Sequence, residues 1–366
     1  MRFIDLQAQY HTYQSAIDAA IAEVVQSTSF INGSQVKELE KRLAEFVGTR
    51  EAVGVSSGTS ALRLALMAWN IGPGDEVITT PFTFFATAEV IGIGGATPVF
   101  VDIQPDSFNI DPALIEQAIT PRTKAIVPVS LYGQCCDFDA INAIGKKHGI
   151  PVLEDACQSF GASWHGKRSC SLTTGAAISF FPSKPLGCYG DGGMFFTDDP
   201  ELANTVRIMS QHGQTARYQH GLLGINARLD TLQAAILLAK LPHFTEEIAA
   251  RQHIAQGYAE RLGDLPITLP IIKPENESVF AQFTIRVKNR PAVQKSLQES
   301  GIPTAVHYPM ALHRQPVFAD MNLGEGSFPH AEQASQEVLS LPMHPFLTSE
   351  QLDTVAAAVK VAVSAG

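Results

Sequence analysis

Charged residues are scarce in this chain, and basic residues are the scarcer kind. Only 17% of the 366 residues are charged, and 26 Lys and Arg face 36 Asp and Glu, so the formal net charge is −10. An excess of negative charge makes general binding to nucleic acid or to an anionic membrane a poor explanation of function. A phosphate can still be bound locally, because backbone amides and a few cations suffice.

Cysteines are also few, and their spacing excludes common frameworks. The five cysteines are odd in number and form no C-x-x-C pair, which argues against a disulfide framework and against a zinc site. The eleven histidines show no H-E-x-x-H spacing, so we expect no metal. No apolar run reaches the ~18 residues of a membrane span, and the first residues lack the apolar region of a signal peptide. We therefore expect a cytoplasmic protein with reduced thiols.

The length and the order of patterns predict two domains. A single core stops growing near ~250–300 residues, and this chain has 366. In the first part, short apolar runs such as residues 52–55, 76–79 and 97–101 alternate with helical patterns such as residues 138–148. This alternation is typical of an α/β fold with a mostly parallel sheet covered by helices on both faces. We place a large domain at residues 1–242 and a smaller α+β domain at residues 243–366.

The first candidate site is the small-residue turn at residues 56–61, Ser-Ser-Gly-Thr-Ser-Ala. It follows a predicted strand and opens a predicted helix. Free backbone amides and the helix dipole at such a turn favour an anion, and Thr59 can add a hydroxyl donor beside Gly58. Taken alone, the motif is equally well explained as an ordinary strand-to-helix turn.

The second candidate is Asp155, at the end of a strand that should be buried on both faces. Ligands of open α/β sheets bind at the carboxyl ends of the strands. A buried carboxylate is costly unless a cation or a donor pairs with it, and a pyridinium nitrogen would be such a partner. In isolation, an ordinary helix N-cap is about as good an explanation of this aspartate.

The third candidate, Lys184, is the most informative. It follows an apolar strand and precedes a loop with glycines at positions 187, 190, 192 and 193. Burial lowers the pKa of an amine and makes it a nucleophile toward an aldehyde, while glycines allow the backbone to approach a flat ring. The flanking Phe180, Phe181 and Leu186 favour this interpretation over an exposed loop lysine.

These three segments, in this order and spacing, resemble the sugar aminotransferases of the DegT/DnrJ/EryC1/StrS family. The resemblance covers residues 3 to 345 and is most specific in the lysine segment and in residues 224–235. It implies the fold of the fold-type-I pyridoxal-phosphate (PLP) enzymes, which is the fold of aspartate aminotransferase. It also implies PLP as the cofactor, with pyridoxamine phosphate as the intermediate form.

The resemblance assigns roles to individual residues. Lys184 would hold PLP as a Schiff base and move the proton during catalysis. Asp155 would pair with the pyridine nitrogen, Gln158 would bind the phenolate oxygen of the ring, and Phe84 would stack on its face. The phosphate would be held by Gly58, Thr59, Ser179 and, from the neighbouring subunit, Asn226. The active unit would therefore be a homodimer with shared active sites.

Within the family, the chain is most similar to the branch that aminates C3 of a UDP-linked 2-acetamido-2-deoxy-3-oxo-glucuronate, with glutamate as the amino donor. Arg228, presented across the dimer interface, would bind the uronate carboxylate in a bidentate manner. His307 and Tyr308 would contact the sugar. The alternative for Arg228 is a salt bridge to Asp230 or to a neighbouring helix.

The product of that branch would be a 3-amino sugar for a bacterial surface polysaccharide such as O-antigen. Two other functions stay open. One is amination at C4 of a UDP- or dTDP-linked 4-keto-hexose, and the other is a PLP-binding regulatory protein without turnover. The presence of Lys184, Asp155 and Gln158 together argues against the regulatory alternative.

Overall fold

The fold is known from a computed structural model that describes residues 1–364. The α-helices are α1 (Leu6–Ser27), α2 (Ser34–Val47), α3 (Gly58–Ala68), α4 (Ala86–Ile93), α5 (Pro112–Ile115), α6 (Phe138–His148), α7 (Pro200–Met209), α8 (Thr231–Lys240), α9 (Phe244–Leu262), α10 (Arg290–Glu299), α11 (Pro329–Glu337) and α12 (Ser349–Ser364). The strands are β1 (Glu51–Val55), β2 (Glu76–Thr79), β3 (Thr97–Phe100), β4 (Thr123–Val127), β5 (Leu153–Asp155), β6 (Ser163–Trp164), β7 (Lys167–Arg168), β8 (Gly175–Ser179), β9 (Gly193–Thr197), β10 (Gln214–Ala216), β11 (Gln219–His220), β12 (Asn276–Glu277), β13 (Phe283–Arg286) and β14 (Val338–Leu341).

Seven strands form the main sheet in the order β3-β2-β4-β5-β8-β9-β1. Backbone pairing of residue 126 with residue 152, and of residue 129 with residue 155, joins β4 to β5. All neighbours run parallel except that β9 is antiparallel to both β8 and β1. The expected mostly parallel α/β sheet is confirmed.

The helices that cover this sheet are amphipathic by sequence. In α2, Val36, Leu39, Leu43 and Val47 are buried, and their spacing of three or four residues places them on one helix face. That face packs in the same apolar core as the strand residue Ile78. Strand β2 is buried along its whole length, as expected of a strand in a parallel sheet with helices on both faces.

A second core lies in the C-terminal part of the chain, around the antiparallel pair β13–β14 and helices α9, α10 and α12. Helix α9 contributes to both cores. Phe244 and Ile248 in its first turns pack in the core of the main sheet, whereas Ile254 and Leu262 pack in the second. The division of the chain at residue 242 therefore stays a prediction.

All five cysteines are free thiols, and four of them are fully buried. Across residues 1–364, no helix has both the length and the apolar character that crossing a membrane requires. The same residues contain no group of three or more His, Cys, Asp or Glu side chains arranged to hold a metal ion.

Candidate active site

A cleft of about 450 Å³ opens at the carboxyl ends of the parallel strands. Strands β1, β5 and β8 end here, and each contributes a predicted site residue at or just beyond its end. Nine of the predicted residues line this one cleft: Gly58, Thr59, Phe84, Asp155, Gln158, Ser179, Lys184, His307 and Tyr308.

The N-terminus of α3 forms one wall of the cleft. The Ser57 hydroxyl caps the helix by accepting a hydrogen bond from the Ser60 amide at 3.0 Å. The first amides of a helix have no partner within it, so those of Gly58 and Thr59 can bind an anion. A Cβ on Gly58 would lie 2.7 Å from Cys157 Sγ and 2.9 Å from Ser179 Cβ. Only glycine therefore fits where this helix meets β8.

The Asp155 carboxylate is buried at the end of β5, with 5% of its surface exposed. Oδ2 accepts a hydrogen bond from the Thr87 hydroxyl at 2.8 Å, and Oδ1 accepts one from the Cys157 amide at 3.2 Å. Within residues 1–364, no Lys, Arg or His forms an ion pair with it. The site thus holds a buried carboxyl group that no cationic side chain of residues 1–364 pairs with.

Lys184 lines the same cleft and lies in the loop that follows β8. The loop is fixed by backbone hydrogen bonds from Lys184 N to Phe181 O and from Cys188 N to Phe180 O, both 2.8 Å long. Phe180 and Leu186 are buried beneath it, whereas Phe181 is 52% exposed at the cleft. The apolar residues of this segment therefore anchor the loop and leave the lysine at the cleft.

Gln158 and Tyr308 join the two halves of the chain inside the cleft. The Gln158 amide nitrogen donates to the Tyr308 hydroxyl at 3.1 Å, and its oxygen accepts from the Tyr132 amide at 3.0 Å.

Burial and the nearby Asp155 carboxylate raise the pKa of Tyr308, so its hydroxyl stays protonated. Burial, helped by the positive Lys184, lowers the pKa of His307 to about 4, so its ring is neutral at pH 7.

Asn226 and Arg228 lie outside this cleft in their own chain. Their segment pairs with the backbone near the end of β1, where residue 228 bridges Val55 and Ser56 N donates to Ala227 O at 3.0 Å. The Arg228 Nε is buried and has no hydrogen-bond partner among residues 1–364. Within this part of the chain Arg228 forms no salt bridge with Asp230.

The sequence analysis assigned no role to several residues of the site, among them Ser183, Asp191 and Gln282, which line the cleft, and Thr87, which donates to Asp155. Ser183 is adjacent to Lys184, so its position in the loop could have identified it. Thr87 lies in the first turn of α4, and its contact with Asp155 joins residues that are far apart in the chain, so no local pattern marks it. Gln282 comes from the C-terminal half, and no local pattern marks it.

The residues of the cleft fit PLP. The first amides of α3 can bind its phosphate, the buried Asp155 lacks the cation that a pyridinium would supply, and Phe84 is 56% exposed and available for stacking on a ring. Lys184 is the one lysine that lines the cleft among the described residues, so it would carry the Schiff base.

Comparisons with known proteins place similar sequences and structures among the aminotransferases. The UDP-2-acetamido-2-deoxy-3-oxo-D-glucuronate aminotransferase of Pseudomonas aeruginosa is 55% identical over 359 residues, covering 98% of this chain and 99% of that protein. The solved structure of Streptomyces venezuelae DesV in complex with a ketimine intermediate has a TM-score of 0.96 and 41% identity, covering 98% and 97% of the two chains.

A second solved structure, Bacillus subtilis NtdA with bound cofactor PMP, has a TM-score of 0.90 and 32% identity, and it covers 96% of this chain and 82% of that chain. Residues 11–360, nearly the whole sequence, match the DegT/DnrJ/EryC1/StrS aminotransferase family. The chain belongs to the DegT/DnrJ/EryC1/StrS aminotransferase family.

Proposed function

We propose that this protein transfers the amino group of glutamate to the C3 ketone of UDP-2-acetamido-2-deoxy-3-oxo-glucuronate. The product is a 3-amino sugar for a bacterial surface polysaccharide such as O-antigen, made in the cytoplasm. The observation that carries the proposal is the convergence of nine predicted residues on one cleft, where Lys184 lies with Asp155, which forms no ion pair with any side chain of residues 1–364. The 55% identity to an aminotransferase named for this sugar supports the substrate.

PLP is the cofactor, and when bound it acts as an electron sink that takes up the amino group and becomes pyridoxamine phosphate. Gly58, Thr59 and Ser179 would hold its phosphate, with Asn226 of the neighbouring subunit. The Asp155 carboxylate would keep the ring nitrogen protonated, because a buried anion strongly favours a cation beside it. Gln158 would bind the phenolate oxygen of the ring.

Lys184 is the base of the reaction. Its ε-amine would remove the proton from the amino-bearing carbon of glutamate and deliver it to the former aldehyde carbon of the cofactor, after which water would release 2-oxoglutarate. In the second half, the same amine would transfer a proton in the opposite sense to C3 of the sugar. Since glutamate and the sugar use one site in turn, we expect ping-pong kinetics.

Arg228 is proposed to bind the uronate carboxylate from the neighbouring subunit. Its unpartnered Nε leaves the guanidinium free for a bidentate contact. His307 and Tyr308 would contact the sugar from the wall of the cleft that they line. The proposal requires a homodimer, because the arginine of each chain lies outside its own cleft.

The cofactor assignment is tested by near-visible absorption spectra of the purified protein with PLP, before and after addition of glutamate. The wild type should show a Schiff-base band that glutamate bleaches, and Lys184→Ala should show no such band. If the wild type shows no band, the assignment of Lys184 fails and the family likeness extends to the fold alone.

The shared site is tested by mixing two inactive variants, Lys184→Ala and Arg228→Gln, after denaturation and refolding together. In a mixed dimer one site is built only from intact residues. Statistical pairing should thus restore about a quarter of the wild-type activity. No recovery, in a mixture shown to contain mixed dimers, would mean that each site is built from one chain.

The substrate is tested with Arg228→Lys and with two nucleotide sugars, the 3-oxo uronate and its analogue with a 6-hydroxyl in place of the carboxylate. Lysine cannot make the two parallel hydrogen bonds of a guanidinium, so KM for the uronate should rise by roughly 10-fold or more. KM for the analogue, which has no carboxylate, should change little. An unchanged KM for the uronate would remove Arg228 as the carboxylate ligand. Turnover of a 4-keto-hexose in preference to both would favour the C4 alternative.

A further inference from the structure

The loop that carries Lys184 is a closed turn with little freedom. The hydrogen bond from Cys188 N to Phe180 O closes it. A Cβ on Gly187 would collide with the Pro182 carbonyl oxygen across the turn. The position of Lys184 therefore depends on how this turn, as a unit, is attached to the rest of the protein.

Helix α8 attaches the turn at two points. The Gln233 side chain accepts from Tyr189 N at 2.8 Å and donates to Tyr189 O at 3.3 Å. The Lys240 ammonium donates to the carbonyl oxygen of Gly187. Gln233 and Lys240 are seven residues apart, which is two helical turns, so both reach the loop from the same face of α8.

Burying the Lys240 ammonium group at this position costs free energy. It is 3% exposed, and no carboxylate lies within ion-pair distance of it among residues 1–364. Burial lowers its pKa to about 8. Its ammonium lies 5.4 Å from the ring centroid of Tyr189, a cation–π contact that offsets part of the cost. Burying an apolar side chain beside Leu237 would cost less free energy than burying an amine. The amine, unlike an apolar group, can donate a hydrogen bond to the loop.

We propose that Lys240 is a positioning residue of the reaction: it holds the Lys184 turn at Gly187 and so fixes where the Lys184 amine meets the cofactor. The inference rests on the proposed role of Lys184. Lys240 does not line the cleft, and it acts through the turn, three residues along the chain from Lys184. The competing explanation is that Lys240 only adds stability where α8 packs against the loop.

If Lys240 positions the turn, an uncharged hydrogen-bond donor at this position should restore most of the activity that is lost when the donor is removed. Lys240→Met keeps the length and apolar stem but removes the donor, whereas Lys240→Gln keeps a donor without the charge. The control is Lys360→Met on the exposed side of α12, at a residue that does not line the cleft. Each holoenzyme is assayed for kcat and KM, for its thermal unfolding midpoint, and for the pH midpoint at which the near-visible band of the bound cofactor titrates.

We expect Lys240→Met to lower kcat by roughly 10-fold or more with KM for both substrates within about 2-fold, because a displaced reacting group costs rate rather than substrate affinity. The titration midpoint of the band should shift by about half a pH unit or more, since the surroundings of the Lys184 linkage change. Lys240→Gln should recover kcat to within about 3-fold of wild type, and Lys360→Met should match wild type.

The proposal is overturned if Lys240→Met keeps the wild-type kcat and titration midpoint, or if Met and Gln at position 240 are equally impaired while unfolding at a lower temperature. If Lys240→Met does not fold, Gln233→Met removes the other contact on the same helix face, and the same split between kcat, KM and titration midpoint decides. A wild type without any near-visible band would instead refute the role of Lys184, and this inference with it.

Discussion

The Thr87 hydroxyl donates a hydrogen bond to Asp155 Oδ2 at 2.8 Å, joining the first turn of α4 to the end of β5. The two residues are 68 positions apart in the chain. Because this hydroxyl and the Cys157 amide are the two donors on the carboxylate, Thr87 fixes the orientation in which Asp155 would face the ring nitrogen of the cofactor.

Replacing Thr87 by Val should therefore weaken PLP binding while leaving the fold intact. Valine has the same shape but no donor, and a hydrogen bond to a charged group contributes about 1.5–3 kcal/mol. We expect the Kd for PLP to rise by roughly 10-fold or more, measured by titrating the apoprotein with PLP. Thr87→Ser, which keeps the hydroxyl, is the control. Equal affinities of Thr87→Val and wild type would show that the donor does not matter.

Gly187→Ala should disrupt the Lys184 turn. The added methyl group would meet the Pro182 carbonyl oxygen, so the backbone must move. We expect a loss of roughly 2 kcal/mol or more in the free energy of unfolding, together with loss of the near-visible band. Gly92→Ala in α4 is the matched control, because a Cβ there meets no atom within 4 Å and alanine favours a helix. A stable Gly187→Ala protein with a normal band would contradict the tight geometry of the turn.

The Glu154 carboxyl group joins two loops that are distant in the chain. Its buried carboxylate accepts hydrogen bonds from Ser130 at 2.7 Å, from Ser169 at 2.8 Å and from the Cys170 amide at 2.8 Å. Glu154→Gln places an amide donor among these donors, which should cost roughly 2–4 kcal/mol in chemical denaturation. The exposed Glu38→Gln, which loses only a surface ion pair with Arg42, should cost under ~1 kcal/mol. Equal costs for the two changes would be incompatible with this network.

His344 should make stability depend on pH below neutrality. It is buried, and burial lowers its pKa to about 4, below the ~6.5 of an unfolded chain. Between these values the unfolded chain binds a proton that the folded chain excludes, so the free energy of unfolding falls as pH falls, by up to roughly 3 kcal/mol for this group. Denaturation curves at pH 7 and pH 5 should show a smaller fall for His344→Gln than for wild type. The same fall in both would assign the effect to other groups, and the exposed His253→Gln is the control.

Local patterns were enough to predict most of the fold. The helix of residues 138–148 and the strand of residues 76–79 were predicted with the bounds that the structure has. Their apolar spacing and their flanking glycines lie within a few residues of each other, so sequence alone carries the signal. The hairpin β10–β11, the helix α11 and the strand β14 were not predicted, because their apolar spacing is weak and two of them are short.

The same locality explains which parts of the site were predicted. Asp155 ends a strand and Gly58 and Lys184 each follow one. The carboxyl ends of parallel strands meet at one edge of a sheet, so the convergence of these residues follows from the fold class. Asn226 and Arg228 were assigned by resemblance to a neighbouring subunit, and their place in the active site stays a prediction.

The sequence by itself thus determined the order of strands and helices, the three segments that carry the chemistry, and the family. Only the tertiary structure decided that Thr87 orients Asp155, that Lys240 reaches Gly187, and that α9 contributes to two cores. The physical reason is that these contacts join side chains distant in the chain. Their formation depends on how whole helices and sheets pack, for which no periodic pattern exists in the sequence.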